Sequence, residues 1–563
     1  MNMTHKQTGR LELRDLVILT ILGGFFFAFM LGNRALSVPD EGRYVEIPRE
    51  MVVTGDYLTP RLNGVKYFEK PVLFYWLEAL SIKLFGLHEF TLRLWPALLA
   101  LLGCMSVAVA GARLFGRLTG ILAASILATS ILYYAMSRAI ILDMPVTVML
   151  TVALLSFLIG THEPTGLKRR LYLWSFYALS AFAVLTKGLI GMLIPGMIIG
   201  AWILLLGEWR LLKTLYIPSG LFLFLLIVAP WHLLVNRANP EFFNFYFIHE
   251  HFVRYLTKVH GRYQPFWFFV PIVLLGMFPW SAFLVQAISR SIPSSWRERH
   301  EHRDALFLLL WVCLVFLFFS ASDSKLTPYI LPIFPPLAIL IGRYFAAAWD
   351  SQVFLGIRVG YIILLAVVVL LVAALIVLPW FWPKPEDIQS LGAWRIAFIV
   401  TIMIGAAAAW LLAAYRGFKV AFVALAVTTA LFFMEANAAA LRVDLNSVKK
   451  LAVTLKARLS PGDEVASYQT YYQDLPVYLE RRITVVDWKG ELEFGTEVED
   501  TSQWMLDSAT FWKRWQGQSS MYLVTKIETF NEIRKNSYLR LFPIAQDSHN
   551  ILVSNKKASE VRP

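Results

Sequence analysis

The feature that most constrains this chain is its succession of long apolar runs. Runs of roughly 17–25 apolar residues are long enough to cross the hydrocarbon core of a bilayer as helices. They recur near 14–33, 91–112, 117–136, 141–160, 171–186, 189–206, 213–232, 266–288, 305–321, 326–345, 354–378, 393–415 and 417–438, about 13 predicted spans. Composition agrees: 57% of residues are hydrophobic and only 16% charged, against about 25% charged in an average soluble domain. The pattern excludes a single soluble domain, a disordered chain and a disulfide scaffold. Cys104 and Cys313 both lie inside apolar runs, and no His/Cys cluster has zinc-finger spacing. No small-x-small cleavage site follows the first run, so it reads as a retained anchor rather than a secretory signal.

The loops between the runs set the orientation. The formal net charge is +13, from 52 Lys and Arg against 39 Asp and Glu. In a soluble protein that excess would suggest a polyanion. Here the cations gather in alternate loops, among them Lys168, Arg169 and Arg170, then Arg290, Arg297, Arg299 and Arg303. The opposite turns are sparse, with Arg138, Lys187, Lys325 and Lys384. Positive loops stay cytoplasmic, which places the N-terminus inside and, after an odd number of spans, the C-terminus outside. No nucleic-acid partner is needed to explain the charge.

Residues 1–441 are thus expected to form an all-α polytopic membrane domain with two long outer loops, 34–90 and 233–265. Within the first loop, Pro71–Gly86 reads as an amphipathic helix lying on the membrane surface. Residues 442–563 hold 33 charged residues, 17 basic and 16 acidic. They are expected to form a small soluble α/β domain on the outer side. Strands are predicted at Glu464–Tyr468, Arg482–Trp488, Met521–Thr525 and Asn550–Ser554, with a helix between the first two.

The residues able to carry chemistry cluster on the outer face. The first outer loop reads Pro39-Asp40-Glu41-Gly42-Arg43-Tyr44 and then Tyr67-Phe68-Glu69-Lys70-Pro71. Carboxylates can take a proton or bind a cation, and Arg and Lys can hold a phosphate. Asp143 opens a span, where it reads either as an N-cap or as a functional carboxylate. Lys187 occupies a tight outer turn, where it either snorkels to water or serves the site. His249, Glu250, His251 and Arg254 lie in the second outer loop, and Lys325 and Tyr329 open a further span. A histidine there is either simply hydrogen-bonded or, with a carboxylate such as Glu69 nearby, a ligand for a divalent metal. A transporter would place ionisable groups near the bilayer midplane. The helix centres here are nearly free of charge, Glu435 excepted. The pattern therefore favours an outer-face enzyme acting on a lipid-linked anionic substrate over a lipid or polysaccharide transporter.

These motifs together, with Glu46-Ile-x-Arg49-Glu50-Met51, Gly55-Asp56, Leu142-Asp143, Thr186-Lys187-Gly188, Glu250-His251, Pro265-Phe-Trp-Phe268 and Lys325-Leu-x-x-Tyr329, resemble the bacterial aminoarabinose transferases that modify lipid A. Behind these stands the wider glycosyltransferase-C superfamily with the protein O-mannosyltransferases. The resemblance covers nearly the whole membrane part. It implies an inverting transfer of a sugar, 4-amino-4-deoxy-L-arabinose, from a polyprenyl-phosphate donor to lipid A phosphate. The reaction would occur on the periplasmic side of the bacterial inner membrane. A relative using another sugar, or a protein or glycan acceptor, stays open as the alternative. By the same resemblance Asp40 would be the catalytic base or acceptor-orienting group, with Asp143 near it. Arg43, Lys70, Arg254 and Lys325 would neutralise the donor phosphate, and Tyr329 would position it. Glu69 and His251 would hold a divalent metal, with zinc the implied ion.

Overall fold

The computed structural model of the chain describes residues 9–253, 263–349, 355–381, 392–441, 446–536 and 539–557. They divide into two compact units. One gathers Met1–Leu31, Leu94–Leu233 and Asn244–Val443; the other gathers Gly32–Arg93, Leu234–Phe243 and Asp444–Pro563.

The first unit is helical. Each of the 13 apolar runs carries helix, but they differ in reach. Among the described residues eight helices are long and apolar enough to cross a membrane, or nine if one bent pair counts as a single span. The expected thirteen is therefore not reached on length and composition: Leu13–Ala28 and Ile190–Leu206 are 16 and 17 residues long, and local chemistry accounts for three other runs. Run 117–136 breaks into Arg117–Ala128 and Ile131–Met136. At the break, Thr129 and Ser130 donate their hydroxyls to the carbonyls of Ser125 and Ile126, at 2.6 and 2.7 Å. Such back-bonding competes with helix continuation. A 12-residue helix spans only about 18 Å, short of a hydrocarbon core of about 30 Å. Run 266–288 becomes Phe266–Gly276 and Trp280–Ser289, bent by 106°; Pro279 lies in the break, where its ring and missing N–H cannot extend a helix. The helix Leu167–Lys187 is long enough, but Lys168, Arg169, Arg170 and Lys187 occupy its ends.

Burial sorts the spans. Asp143–His162 has 89% of its most apolar stretch buried, whereas Leu355–Val377 has 22%. The first therefore sits at the centre of the helical unit. The second keeps an apolar surface that protein does not cover and lipid suits.

The second unit combines the first outer loop with the C-terminal segment. Its helical part is α1 (Asp40–Thr54) and α2 (Leu73–Phe85), joined through a hairpin of β1 (Arg61–Leu62) and β2 (Val65–Lys66). The turn is Asn63-Gly64, both at positive φ, the pairing that a tight hairpin requires. The C-terminal part is a six-stranded sheet of β3 (Glu464–Tyr468), β4 (Thr484–Val486), β5 (Met505–Leu506), β6 (Met521–Lys526), β7 (Phe542–Gln546) and β8 (Asn550–Ser554), in the order β5-β4-β3-β6-β8-β7. Strands β5, β4, β3 and β6 run parallel; β8 pairs antiparallel with β6, and β7 pairs antiparallel with β8 at the edge. Val486, Leu506, Phe511, Trp515, Leu523, Phe530 and Val553 fill the core on one face. The four predicted strands lie where the sequence placed them. The short strand β5 and the half-exposed β7 carry too little apolar signal to stand out.

The sequence assigns loop 34–90 to the membrane part, but this loop packs with the C-terminal segment. The reason is polar and specific. Asn63 exchanges two hydrogen bonds with Ile483, each 3.0 Å, and Arg61 forks onto Glu499 at 2.9 Å. Helix α2, expected on a membrane surface, buries Phe74, Tyr75, Glu78, Ala79 and Ser81 against the unit. It leaves Leu80, Leu84 and Phe85 exposed.

Candidate active site

Asp40 and Glu41 open α1, where the helix dipole favours negative charge, and the structure separates them. The Asp40 side chain is 62% exposed, while that of Glu41 is 1% exposed. Glu41 accepts from Arg93 at 3.0 and 2.8 Å, from Arg34 at 3.0 and 3.1 Å, and from the Ser37 backbone N–H at 2.8 Å. Burial alone would push its carboxyl up, but the two guanidiniums more than offset this and hold it below the usual range. Glu41 is thus the anchor of the turn, and Asp40 is the carboxylate it presents.

Arg43 lies behind Asp40. Its guanidinium donates to Asp40 Oδ1 at 2.8 Å, pairs with Glu491 Oε2 at 2.8 Å and donates to the Tyr67 hydroxyl at 3.2 Å. The Tyr44 ring lies 5.6 Å from it. Arg43 is therefore already matched by two carboxylates, which the sequence reading of a phosphate-binding arginine did not anticipate. Burial, with Glu69 and Asp40 nearby, raises the Glu491 carboxyl, and Arg43 opposes the rise. Burial likewise keeps the Tyr67 phenol protonated. Lys70 donates to the Glu69 carbonyl at 2.7 Å. Asp40, Arg43, Glu69 and Lys70 of the expected site thus belong to one unit, joined by Glu491, which no local motif marked.

A neighbouring set of acids shares the same helix. Glu46, fully buried, takes a two-pronged contact from Arg49, at 2.6 Å on both oxygens. Glu50 accepts the Gly64 N–H at 2.9 and 3.0 Å. Burial, then Glu46, raises the Glu50 carboxyl well above the ordinary range. This set ties α1 to the hairpin.

The remaining expected residues lie in the helical unit. Asp143 stands in the first turn of Asp143–His162 but makes no cap; Leu142 holds that position without a side-chain bond. The Asp143 carboxylate instead meets Lys187 Nζ at 2.5 Å, and both side chains are 13% exposed. Lys187 also sits 4.7 Å from the Tyr329 ring centre. Capping and snorkelling are both set aside: the two residues pair with each other. Lys325, buried, donates to the Gln264 carbonyl at 2.8 Å. Tyr329 lies in the short turn Thr327–Ile333 that leads into Phe334–Ala348. Glu435 accepts from Thr401 at 2.8 Å.

His249 stacks on Phe245 and approaches Glu250 at 3.7 Å. The His251 side chain and Arg254 lie outside the described residues. Among the described residues no three His, Cys, Asp or Glu side chains converge as a metal site. Of the two expected metal ligands, Glu69 has a described side chain and His251 does not, so a zinc ion at this pair rests on the resemblance.

Comparison with known proteins places this arrangement. Residues 18–246 match the family described as dolichyl-phosphate-mannose-protein mannosyltransferase. Residues 451–555 match the aminoarabinose transferase C-terminal domain. Among solved structures, ArnT from Cupriavidus metallidurans bound to undecaprenyl phosphate is similar, with a TM-score of 0.87 at 29% identity, over 98% of this chain and 100% of that one. The undecaprenyl phosphate-alpha-4-amino-4-deoxy-L-arabinose arabinosyl transferase of Erwinia tasmaniensis is 29% identical over 91% of this chain and 94% of its own. The Enterobacter sp. (strain 638) protein of the same name is 32% identical over 400 residues, 69% of this chain and 70% of its own. On that identity and coverage, the chain is a multi-span membrane protein that belongs to the undecaprenyl phosphate-alpha-4-amino-4-deoxy-L-arabinose arabinosyl transferase family.

Proposed function

We propose that the protein transfers 4-amino-4-deoxy-L-arabinose from undecaprenyl phosphate to a lipid A phosphate, at the periplasmic face of the bacterial inner membrane. Family membership along nearly the whole chain carries this reading. The basic alternate loops support the orientation.

The chemistry is a displacement at the anomeric carbon. An oxygen of the acceptor phosphate forms a bond to that carbon from the face opposite the leaving group, and the bond to the undecaprenyl phosphate oxygen breaks, with inversion. The transition state has oxocarbenium character, as in other glycosyl transfers. Negative charge grows on the departing phosphate, so fixed cations beside it lower the barrier. Lys70, Lys325 and Arg254 are assigned to that role, with Tyr329 orienting the donor. Arg43, held between carboxylates, serves chiefly to fix Asp40. A phosphate monoester has its second pKa near 6 and is largely ionised at neutral pH. Such an acceptor needs no base, and Asp40 then orients the acceptor or balances charge. A hydroxyl acceptor would instead need Asp40 to take its proton.

The test is transfer from a synthetic undecaprenyl-phosphate-linked aminopentose to purified lipid A, followed by mass spectrometry. Wild type should form product; Asp40→Asn and Lys70→Ala should not, at normal protein levels. Full activity in both variants overturns the site assignment. Transfer only to a protein or glycan overturns the acceptor. The divalent metal proposed at Glu69 and His251 is checked by the metal content of purified protein against Glu69→Gln; equal content removes it.

A further inference from the structure

We propose that Glu491, in the C-terminal segment, is a positioning residue for this transfer: it holds Arg43, and through Arg43 it holds Asp40. The inference rests on the transferase reading above and adds to it a direct part for the C-terminal segment.

Three observations carry it. First, one guanidinium joins the two carboxylates, each at 2.8 Å. A guanidinium is a rigid planar fork, so with both ends taken Arg43 cannot swing without breaking one pair. Second, exposure runs in one direction. Asp40 is 62% exposed, while Arg43 and Glu491 behind it are 11% and 13% exposed. The outer carboxylate is presented, and the inner one is covered support. Third, Glu491 is itself held. Gln473 donates to its Oε1 at 2.6 Å, and α1 sits directly on the backbone at that point. A Cβ at Gly42 would fall 2.6 Å from the Asp474 nitrogen. Backbone contact at Gly42 and the ion pair at Arg43 thus fix the same turn of α1 from one side.

The charge arrangement gives Glu491 a second effect. Asp40 and Arg43 alone would form a neutral pair, which an incoming phosphate can open by drawing the guanidinium to itself. With Glu491 the trio is net negative, and Arg43 stays with its carboxylates. Asp40 is then fixed when the donor arrives. Removing the Glu491 charge should leave donor binding at least as tight and impair the chemical step.

The experiment is steady-state transfer with the undecaprenyl-phosphate-linked aminopentose and lipid A, using the full chain. Glu491→Gln should lower kcat by about 10²-fold, the scale of a small misplacement in an active site, with the donor KM no higher than in wild type. Its thermal midpoint should match wild type. In an Arg43→Gln background the same change should cost nothing further, because residues acting as a unit are not additive. Gln473→Ala removes only the bond that steadies Glu491. It should give a smaller kcat loss in the same direction, and it keeps the proposal testable if Glu491→Gln does not fold. Wild-type kcat in both Glu491→Gln and Gln473→Ala, or a loss that multiplies with that of Arg43→Gln, overturns the proposal. Inactivity of the wild type with this donor would instead overturn the transferase reading.

Discussion

Replacing Arg93 by Met should destabilise the second compact unit and disturb the turn that presents Asp40. Arg93 is 1% exposed; it donates twice to the Glu41 carboxylate, at 3.0 and 2.8 Å, and to the carbonyls of Arg34 and Ala35, at 2.7 and 2.8 Å. Methionine keeps much of the aliphatic volume but donates nothing, so the loss is electrostatic rather than a cavity. Breaking a buried pair by removing one partner costs about 3–5 kcal/mol. Arg34 and the Ser37 N–H still hold the same carboxylate, which favours the lower end, about 3 kcal/mol. For a domain of roughly 200 residues that corresponds to a fall of about 6–12 °C in Tm. The measurement is apparent Tm in detergent at a fixed scan rate, since large membrane proteins often unfold irreversibly. Glu41→Gln in the Arg93→Met background should recover part of the loss, with a coupling of about 1–3 kcal/mol. Transfer activity of Arg93→Met should fall below what its remaining folded fraction explains. An unchanged Tm, or two strictly additive losses, would refute the idea that Glu41 is a paired buried anchor.

Two further outcomes are expected. Asp474 is fully buried; its Oδ2 accepts from Ser447 and the Val448 N–H, and burial pushes its carboxyl up to about 7. An acid raised in the fold stabilises it most below the unfolded value, near pH 4, and loses that contribution as pH rises through about 7; the full span is at most about 4 kcal/mol. Asp474→Asn should therefore flatten the pH dependence of stability between pH 4.5 and 7.5 (about the same interval), and parallel wild-type and variant curves would contradict it. Lys187→Met should cut transfer about 10²-fold by leaving Asp143 without its 2.5 Å partner. Lys187→Arg should retain more activity, and equal activity in all three proteins would remove the pair from the site.

Much of this protein was legible in its sequence, for physical reasons that act locally. Apolar runs must become helices in lipid because their backbone groups have no water to bond, so every predicted run carries helix. The strands β3, β6 and β8 are short apolar segments between turn residues, which is why they were legible. The motif around Asp40 and the Glu69-Lys70 pair also stood out, because acids, bases and aromatics rarely gather just beyond a span by chance. Less legible was where helices end or bend. The break at Thr129–Ser130 depends on hydroxyls choosing a carbonyl.

What only the tertiary structure decided is which charges meet. Adjacent acids Asp40 and Glu41 look alike in sequence, yet one is presented and the other is sealed under Arg93 and Arg34. Asp143 and Lys187 each had a local explanation, a cap and a snorkelling side chain, and packing replaced both with a pair. Arg43 read as a cation for a phosphate until Glu491 appeared against it. Hydrophobic patterning and turn chemistry act between near neighbours and leave a periodic trace in the chain. An ion pair leaves none, because its partners are brought together by the fold from distant segments, and its meaning depends on burial as much as on charge.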